Sequence, residues 1–404
     1  MKSKRIYILI LSLMLMLSAV ACTAQVQQDF IVVDNSIFLQ EHDEDTGQDF
    51  SYLKLEINED VDNIVALVQN SIIYYSYGED GHSISYYKFD LDANTTYELG
   101  KIDNPYIHTG SIAQIEDKLY FYMNEVVIDN DNPDGKLETT LYEIDITNNS
   151  MDSVFSETVD QTLIYVNVLN EDIISFKGKV DGAAGTTYID AVNVSDDNSD
   201  ETDHSVILSV DFDNDKGSGE VIYNFTQSNG YLYTLNVEAE GMDNREYLIK
   251  KFDSEGNRVK DIRLEKVIED LLANERISTF TVIGDYAFIR TFSSSGVLCN
   301  ISDDIAKAKL IGVEELDMAY GAANSLETQH ALIYNRNTGI TWVLDVEKDT
   351  LSEIDMDYEY IEYIAVDNQS NALISASDMI YVDFMDLPIK GNHQLTELTN
   401  PLVY

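Results

Sequence analysis

Three features of the sequence predict an all-β fold, a β-propeller: a recurring hairpin phrase, a repeat of propeller length, and strands apolar on both faces. The phrase reads "YYKFDLDANTTYELG" at 86–100, "LYEIDITNNSMDSVF" at 141–155 and "TWVLDVEKDTLSEID" at 341–355. Each time a strand of aromatic and aliphatic residues ends on an Asp, a polar turn follows, and a second strand begins. The same anchor position falls on Glu56, Asp90, Asp145, Asn193, Asp253, Asn300, Asp345 and Asp383. These anchors stand roughly 35–60 residues apart, most of them about 45–55, a period that belongs to propellers and other arrays.

The segment before each anchor repeats as well. "NIVALVQNSIIYYSY", "GSIAQIEDKLYFYMN", "LIYVNVLNEDIISFKG" and "ISTFTVIGDYAFIRTF" each pair an apolar strand with a short Asn, Asp or Gly turn and a second strand. Such turn residues between β-branched and aromatic runs mark hairpins. The unit is therefore strand, tight turn, strand, variable loop, strand ending on the anchor, turn, strand: a four-stranded antiparallel meander. "IIYYSY" and "LYFY" are apolar at every position rather than at every second one. A sheet covered on both faces requires that pattern, and a propeller blade lies between two neighbours.

Eight candidate units can be counted. The first, about 29–61, lacks a clear fourth strand, and the last, about 358–404, has a weak one in "HQLTELT" at 393–399. Either the terminal strands combine to close seven blades, or the ring has eight. "RLEKVIEDLLANERI", 263–277, spaces Leu264, Val267, Ile268, Leu271 and Leu272 as on a helix, which predicts one short helix in a loop, packed on the rim. The acidic stretch 194–205, "VSDDNSDETDHS", reads as a loop.

The N-terminus reads as a targeting segment. Lys2, Lys4 and Arg5 precede an apolar run from Ile6 to Leu17, too short to span a bilayer comfortably. Ala19-Val20-Ala21 then stands directly before Cys22. This resembles a bacterial lipobox, although that family prefers Leu at the position of Ala19. The resemblance implies cleavage before Cys22 and a diacylglyceryl group on its thiol; ordinary signal-peptidase cleavage at Ala19-x-Ala21 is the alternative. The domain reading is thus a signal peptide at 1–21, a lipidated Cys and short tether at 22–28, and a propeller at 29–404. Cys299, the second of two cysteines, lies in the apolar run "SGVLCNIS" and reads as a small buried hydrophobe.

The chain carries 73 acidic and 25 basic residues, a net charge of −48. Such a surface repels nucleic acid and anionic membrane and favours cations, basic partners or a saline or alkaline habitat. Calcium is the cofactor its loops would take. In "DNDNPDGKLE", Asp129, Asp131, Asp134 and Glu138 resemble a DxDxDG calcium loop with shifted spacing. In "DFDNDKGSGE", Asp211, Asp213 and Asp215 alternate, but Lys216 stands where an EF-hand loop has its Gly, so an EF-hand is excluded. For both stretches the alternative is a solvated turn.

No catalytic set emerges. H-E-x-x-H, G-x-S-x-G and Walker patterns are missing, and the six histidines are scattered. "NRNTGITW", 335–342, resembles an Asp-box of sialidase-type propellers: Gly339, Thr341 and Trp342 match, while Asn335 and Asn337 replace Ser and Asp. That box is a turn element rather than a catalytic part, and Trp342 reads as core between blades. The lipobox-like end and the degenerate Tyr-rich repeats together resemble the secreted β-propeller lipoproteins of Gram-positive bacteria. The resemblance implies a propeller tethered to the extracellular face of the cell membrane. The expectation is a binding or scaffold protein for a peptide, glycan or cell-wall component, non-enzymatic in the absence of a catalytic motif. A carbohydrate- or peptidoglycan-active hydrolase or lyase, and calcium-dependent adhesion, are the alternatives.

Overall fold

The computed structural model describes residues 29–397 apart from 34–35, 43–48, 56–60, 80, 104, 109–111, 128–135, 159–164, 170–171, 182–183, 195–203, 214, 242–244, 273–276, 292–295, 311–320, 325–329, 336–337, 355–359, 362, 368–370, 376–378, 386 and 388. Cys22 and the signal segment lie outside the described residues. The described chain is antiparallel β-meander with one helix, Lys266–Leu272. The helix is shorter than the spacing suggested. Leu264 belongs to the strand Arg258–Leu264, and Ile277 opens the strand Ile277–Ile283. On the helix Ile268 is fully buried, at the rim of the core.

Seven blades follow one another: 63–103, 105–158, 165–213, 218–264, 277–310, 321–354 and 363–383. The last has three strands of its own. Its fourth is Asp49–Leu55, from the other end of the chain, which pairs antiparallel with Met379–Asp383 through Leu53↔Tyr381, Lys54↔Ile380 and Leu55↔Met379. The first and last candidate units are therefore one blade, and the ring has seven. Burial makes the same count independently. Each neighbouring pair of blades shares one apolar cluster, from Ile73 against Phe121 between blades 1 and 2 to Leu373 against Ile72 between blades 7 and 1. Seven interfaces arranged head to tail close a ring of seven. This is why the strands are apolar on both faces.

"HQLTELT" does not complete the last blade. Ile389–Gln394 pairs with the outer strand of blade 6, Thr350–Ile354, and Thr396–Glu397 pairs with the outer strand of blade 5, Ile305–Leu310. The C-terminal segment is a strap over two sheet edges, which otherwise present unpaired N–H and C=O groups.

The repeated Asp is a turn cap. The third strand of each blade ends at the anchor or, in blade 4, one residue before it, and the Asp carboxylates accept N–H groups of the turn that follows: Ala93 to Asp90 at 2.9 Å, Asn148 to Asp145 at 2.7 Å, Asn257 to Asp253 at 2.7 Å, Lys348 to Asp345 at 3.0 Å. Asn300 caps Ser302 in the same way. Such Asx turns explain why the position takes Asp or Asn. The turns close on left-handed residues, Asn94, Asn149 and Asp349, types that tolerate positive φ. The residue after the anchor ties the turn inward: Leu91, Ile146 and Ile301 donate to the carbonyls of Asn70, Asp117 and Asp285 at 2.9, 3.0 and 2.8 Å. The cap is ionised in the fold. The Asn148 amide holds the Asp145 carboxyl below its usual value against partial desolvation. Burial acts to raise Asp345, but the Lys348 ammonium and amide and nearby His330 outweigh it and leave that group low as well.

Antiparallel order puts the 1–2 and 3–4 turns of every blade on one face of the ring. The 2–3 loops and the connections between blades lie on the other, which is the face with the longer and more varied segments. The first strands of blades 2 to 7 and then blade 1 contact one another in turn around the axis.

Candidate functional site

A cavity of about 590 Å³ opens on the loop-rich face between blades 3 and 4. Its origin is legible in strand alternation. On the second strand of blade 4, Tyr231–Glu240, the odd residues Tyr233, Leu235 and Val237 pack towards blade 5, while Leu232 packs towards blade 3. Side chains alternate along a strand, so Thr234, Asn236, Glu238 and Glu240 also face blade 3. That face runs from apolar at the tight-turn end to acidic at the loop end. Blade 3 contributes Ser209, Val210 and Asp211 to the lining. The hydroxyl of Thr187 accepts the Ile222 N–H of blade 4 at 3.1 Å, which fixes the two blades across the cavity floor.

Five acidic residues are among those lining it, Asp211, Glu220, Glu238, Glu240 and Glu246, and no lysine or arginine is. Lys250 sits below it, 3% exposed. Its ammonium reaches Glu220 Oε1 and Glu238 Oε1, each at 2.6 Å. Asn236 Nδ2 also donates to Glu220. At the rim Arg263 Nε lies 3.1 Å from Glu246. A charge as buried as Lys250 is tolerable only when paired, and here the pairing carboxylates belong to the cavity.

Of the residues singled out in the sequence, Asp211 contributes to the lining of this cavity, while its carboxylate accepts the Thr186 hydroxyl at 2.7 Å on the face of blade 3 opposite Thr187. Asp213 ends the same strand and caps its turn: the Lys216 amide lies at 3.1 Å and its ammonium at 2.7 Å. Those bonds hold the Asp213 carboxyl below its usual value. Asp215 is exposed within the turn. Glu138 lies on the third strand of blade 2, opposite Glu125 and Thr158, while Asp129, Asp131 and Asp134 lie outside the described residues. Among the described residues no three His, Cys, Asp or Glu side chains converge to hold a metal. The sequence reading missed Glu220, Glu238, Glu240 and Glu246, which come from three strands. The available signal was the stripe Asn236, Glu238, Glu240 on an otherwise apolar strand.

A second cavity, about 440 Å³, lies on the tight-turn face near the axis, with Gln69, Gln114, Glu116, Asp117 and Asp367 from blades 1, 2 and 7. Two of its three carboxylates are turn ligands: Asp117 accepts the Thr147 hydroxyl at 2.6 Å, and Asp367 accepts both amides of Asn371 at 2.9 and 2.8 Å. Trp342 is fully buried between blades 5 and 6, and the Asn335 turn before it caps the Thr338 amide. Cys299 is fully buried, and desolvation pushes its thiol up to about 12.

No family model matches the chain, and no curated protein sequence does. Among solved structures it is similar to a protein from Lactobacillus plantarum, 15% identical over 81% of this chain and 97% of that one, with a TM-score of 0.46. It is similar also to the β-propeller domain of the Trilobed protease from Pyrococcus furiosus, described as having an open velcro topology, at 11% identity over 91% and 93%, TM-score 0.41. A third is Pyrococcus horikoshii acylaminoacyl peptidase, 10% identical over 77% of this chain and 49% of that one, TM-score 0.44. The fold assignment rests on the strand order and the seven interfaces rather than on likenesses this distant.

Proposed function

We propose that this protein is a binding or scaffold propeller, tethered by lipid on Cys22 to the extracellular face of the membrane, whose ligand docks on the loop-rich face. The observation that carries the reading is the acidic cavity between blades 3 and 4, which is of ligand size and held by a rigid pair of blades. The ligand class is a peptide, a glycan or a cell-wall component. The hydrolase alternative needs two carboxylates free to act on one bond. At the axial cavity two of the three cap turns, so binding is the better reading. Calcium-dependent adhesion rests on the loop at 129–138 and on Asp211, Asp213 and Asp215; thermal unfolding with chelator, with calcium and with matched monovalent salt tests it. For the main reading, the purified protein is incubated with cell-wall fragments, glycans and peptides, and both complex formation and product release are followed. Saturable binding that a change in the cavity wall abolishes supports the proposal, and reproducible turnover overturns it. Mass spectrometry of the N-terminal peptide tests the anchor: an unmodified Cys22 in the membrane fraction would end that part.

A further inference from the structure

We propose that Lys250 and Asn236 become joined by an amide bond between Lys250 Nζ and Asn236 Cγ, formed within the folded chain with loss of ammonia. The modification does not depend on what the protein binds. Three adjacent strands of blade 4 assemble the site: Glu220 on Ser218–Ser228, Asn236 on Tyr231–Glu240 and Lys250 on Arg245–Phe252. Lys250 stands opposite Thr234, one pleat from Asn236 on the same face of the sheet. Its ammonium reaches Glu220 and Glu238, at 2.6 Å from each. Glu238 is the next residue after Asn236 on that face, and Glu220 is its partner across the strand, so the lysine stem crosses the row of Asn236. Asn236 Nδ2 donates to the same oxygen, Glu220 Oε1, that receives the ammonium. Two donors on one acceptor lie within about 6 Å of each other. Amine, carboxamide and carboxylate therefore form one group.

Burial and chemistry single this group out. Asn236 is 0% exposed, and its cross-strand neighbours Ile222 and Leu248 are buried and apolar. Asn236 Oδ1 has no donor, which is costly for a buried carbonyl, and the reaction supplies one. Lys250 first passes a proton to Glu220, which turns two buried charges into neutral groups. The free amine then attacks Asn236 Cγ. Protonated Glu220 has an O–H to offer Oδ1, where negative charge develops in the tetrahedral intermediate. The Cγ–Nδ2 bond breaks as Glu220 hands to Nδ2 the hydrogen that Nζ gives up. Ammonia leaves, one hydrogen stays on Nζ, and Glu220 returns to carboxylate as the ammonia takes its remaining proton. No oxidant or co-reactant is needed. The bond ties neighbouring strands beneath the cavity without a buried charge. In a chain that keeps its ammonia, Lys250 is the paired ammonium described above; in the linked chain its removal also opens a covalent loop.

The test is mass spectrometry of the purified, denatured protein beside Lys250→Arg and Glu220→Gln. Arginine keeps the charge but has no amine that gives up its proton. Glutamine keeps an acceptor oxygen but cannot carry the proton. Comparison among the three cancels any processing of the N-terminus. After allowance for the substitutions, the wild type should be lighter than both variants by one ammonia. Cleavage before Asp residues yields 215–242, which holds Asn236, and 243–252, which holds Lys250; in the linked chain they appear as one branched peptide. The map also excludes a succinimide at Asn229-Gly230, which loses the same mass but leaves the two peptides apart. A wild type that keeps its ammonia after prolonged incubation, or whose two peptides run separately, overturns the inference. A branched peptide at wild-type yield in Glu220→Gln overturns the role given to Glu220. Should either variant fail to fold, the wild-type map decides by itself.

Discussion

Replacing Lys250 with Met tests whether the ammonium holds the cavity wall together. Removing one partner of a buried ion pair costs about 3–5 kcal/mol, because the remaining charge is left poorly solvated. The lysine side chain is 4% exposed, but its partners are less enclosed, Glu220 at 22% and Glu238 at 42%. Water reaches Glu238 and screens that pair towards the value of a surface bridge. The expected loss is therefore at the low end, about 3 kcal/mol, most of it through Glu220. Met keeps most of the apolar stem, so packing contributes little. Urea unfolding followed by fluorescence measures the difference. Adding Glu220→Gln and Glu238→Gln should recover most of it, since no carboxylate is then left without its cation. A loss for Lys250→Met below about 1 kcal/mol, or a triple variant no more stable than the single one, would refute the reasoning.

Three further outcomes are expected. Asp145, Asp253 and Asp345 all titrate below the usual carboxylate value in the fold. The stability they add is thus in place above about pH 4 and is lost as the pH falls through their lower folded values. Asp345→Asn keeps the acceptor oxygen and loses the charge, so it should flatten the acid limb of a urea-midpoint profile; an unchanged limb counts against the assignment. Gly219 has φ 122°, and a Cβ there would lie 2.4 Å from the Asp211 carbonyl oxygen, so Gly219→Ala should cost more than about 2 kcal/mol. Gly230→Asn, at φ 75° with open space around it, should stay within about 0.5 kcal/mol; equal costs in thermal unfolding would contradict this. Deleting residues 389–404 uncovers the outer strands of blades 5 and 6 and should produce concentration-dependent self-association in light scattering; a monomer at all concentrations would show that the strap is dispensable.

The strand-turn-strand unit, its period and the two-faced apolar strands were legible because they are local. An Asx turn needs one residue and the three or four after it, and Asp90, Asp145 and Asp345 carry that signal in the chain itself. Blade number was not legible. The strand Asp49–Leu55 pairs with Met379–Asp383 across more than three hundred residues, and no local pattern states which edge a terminal strand will complete. "HQLTELT" has strand composition, yet its partners are blades 6 and 5, chosen by which edges lay open.

The candidate site divides in the same way. Asp211 stood out because it belongs to an alternating run within one segment. Glu220, Glu238, Glu240 and Glu246 come from three strands; the stripe Asn236, Glu238, Glu240 was a local signal, but nothing local joins it to Glu220 and Glu246. Composition determined the acidity, alternation determined the double-sided core, and the anchor residues determined the turns. Only the tertiary structure decided that Glu220, Glu238, Glu240 and Glu246 meet at one cavity, and that a buried lysine sits beneath them. Facing between blades is a contact of distant segments, fixed by ring closure and by which side chains fill or fail to fill the space between two sheets.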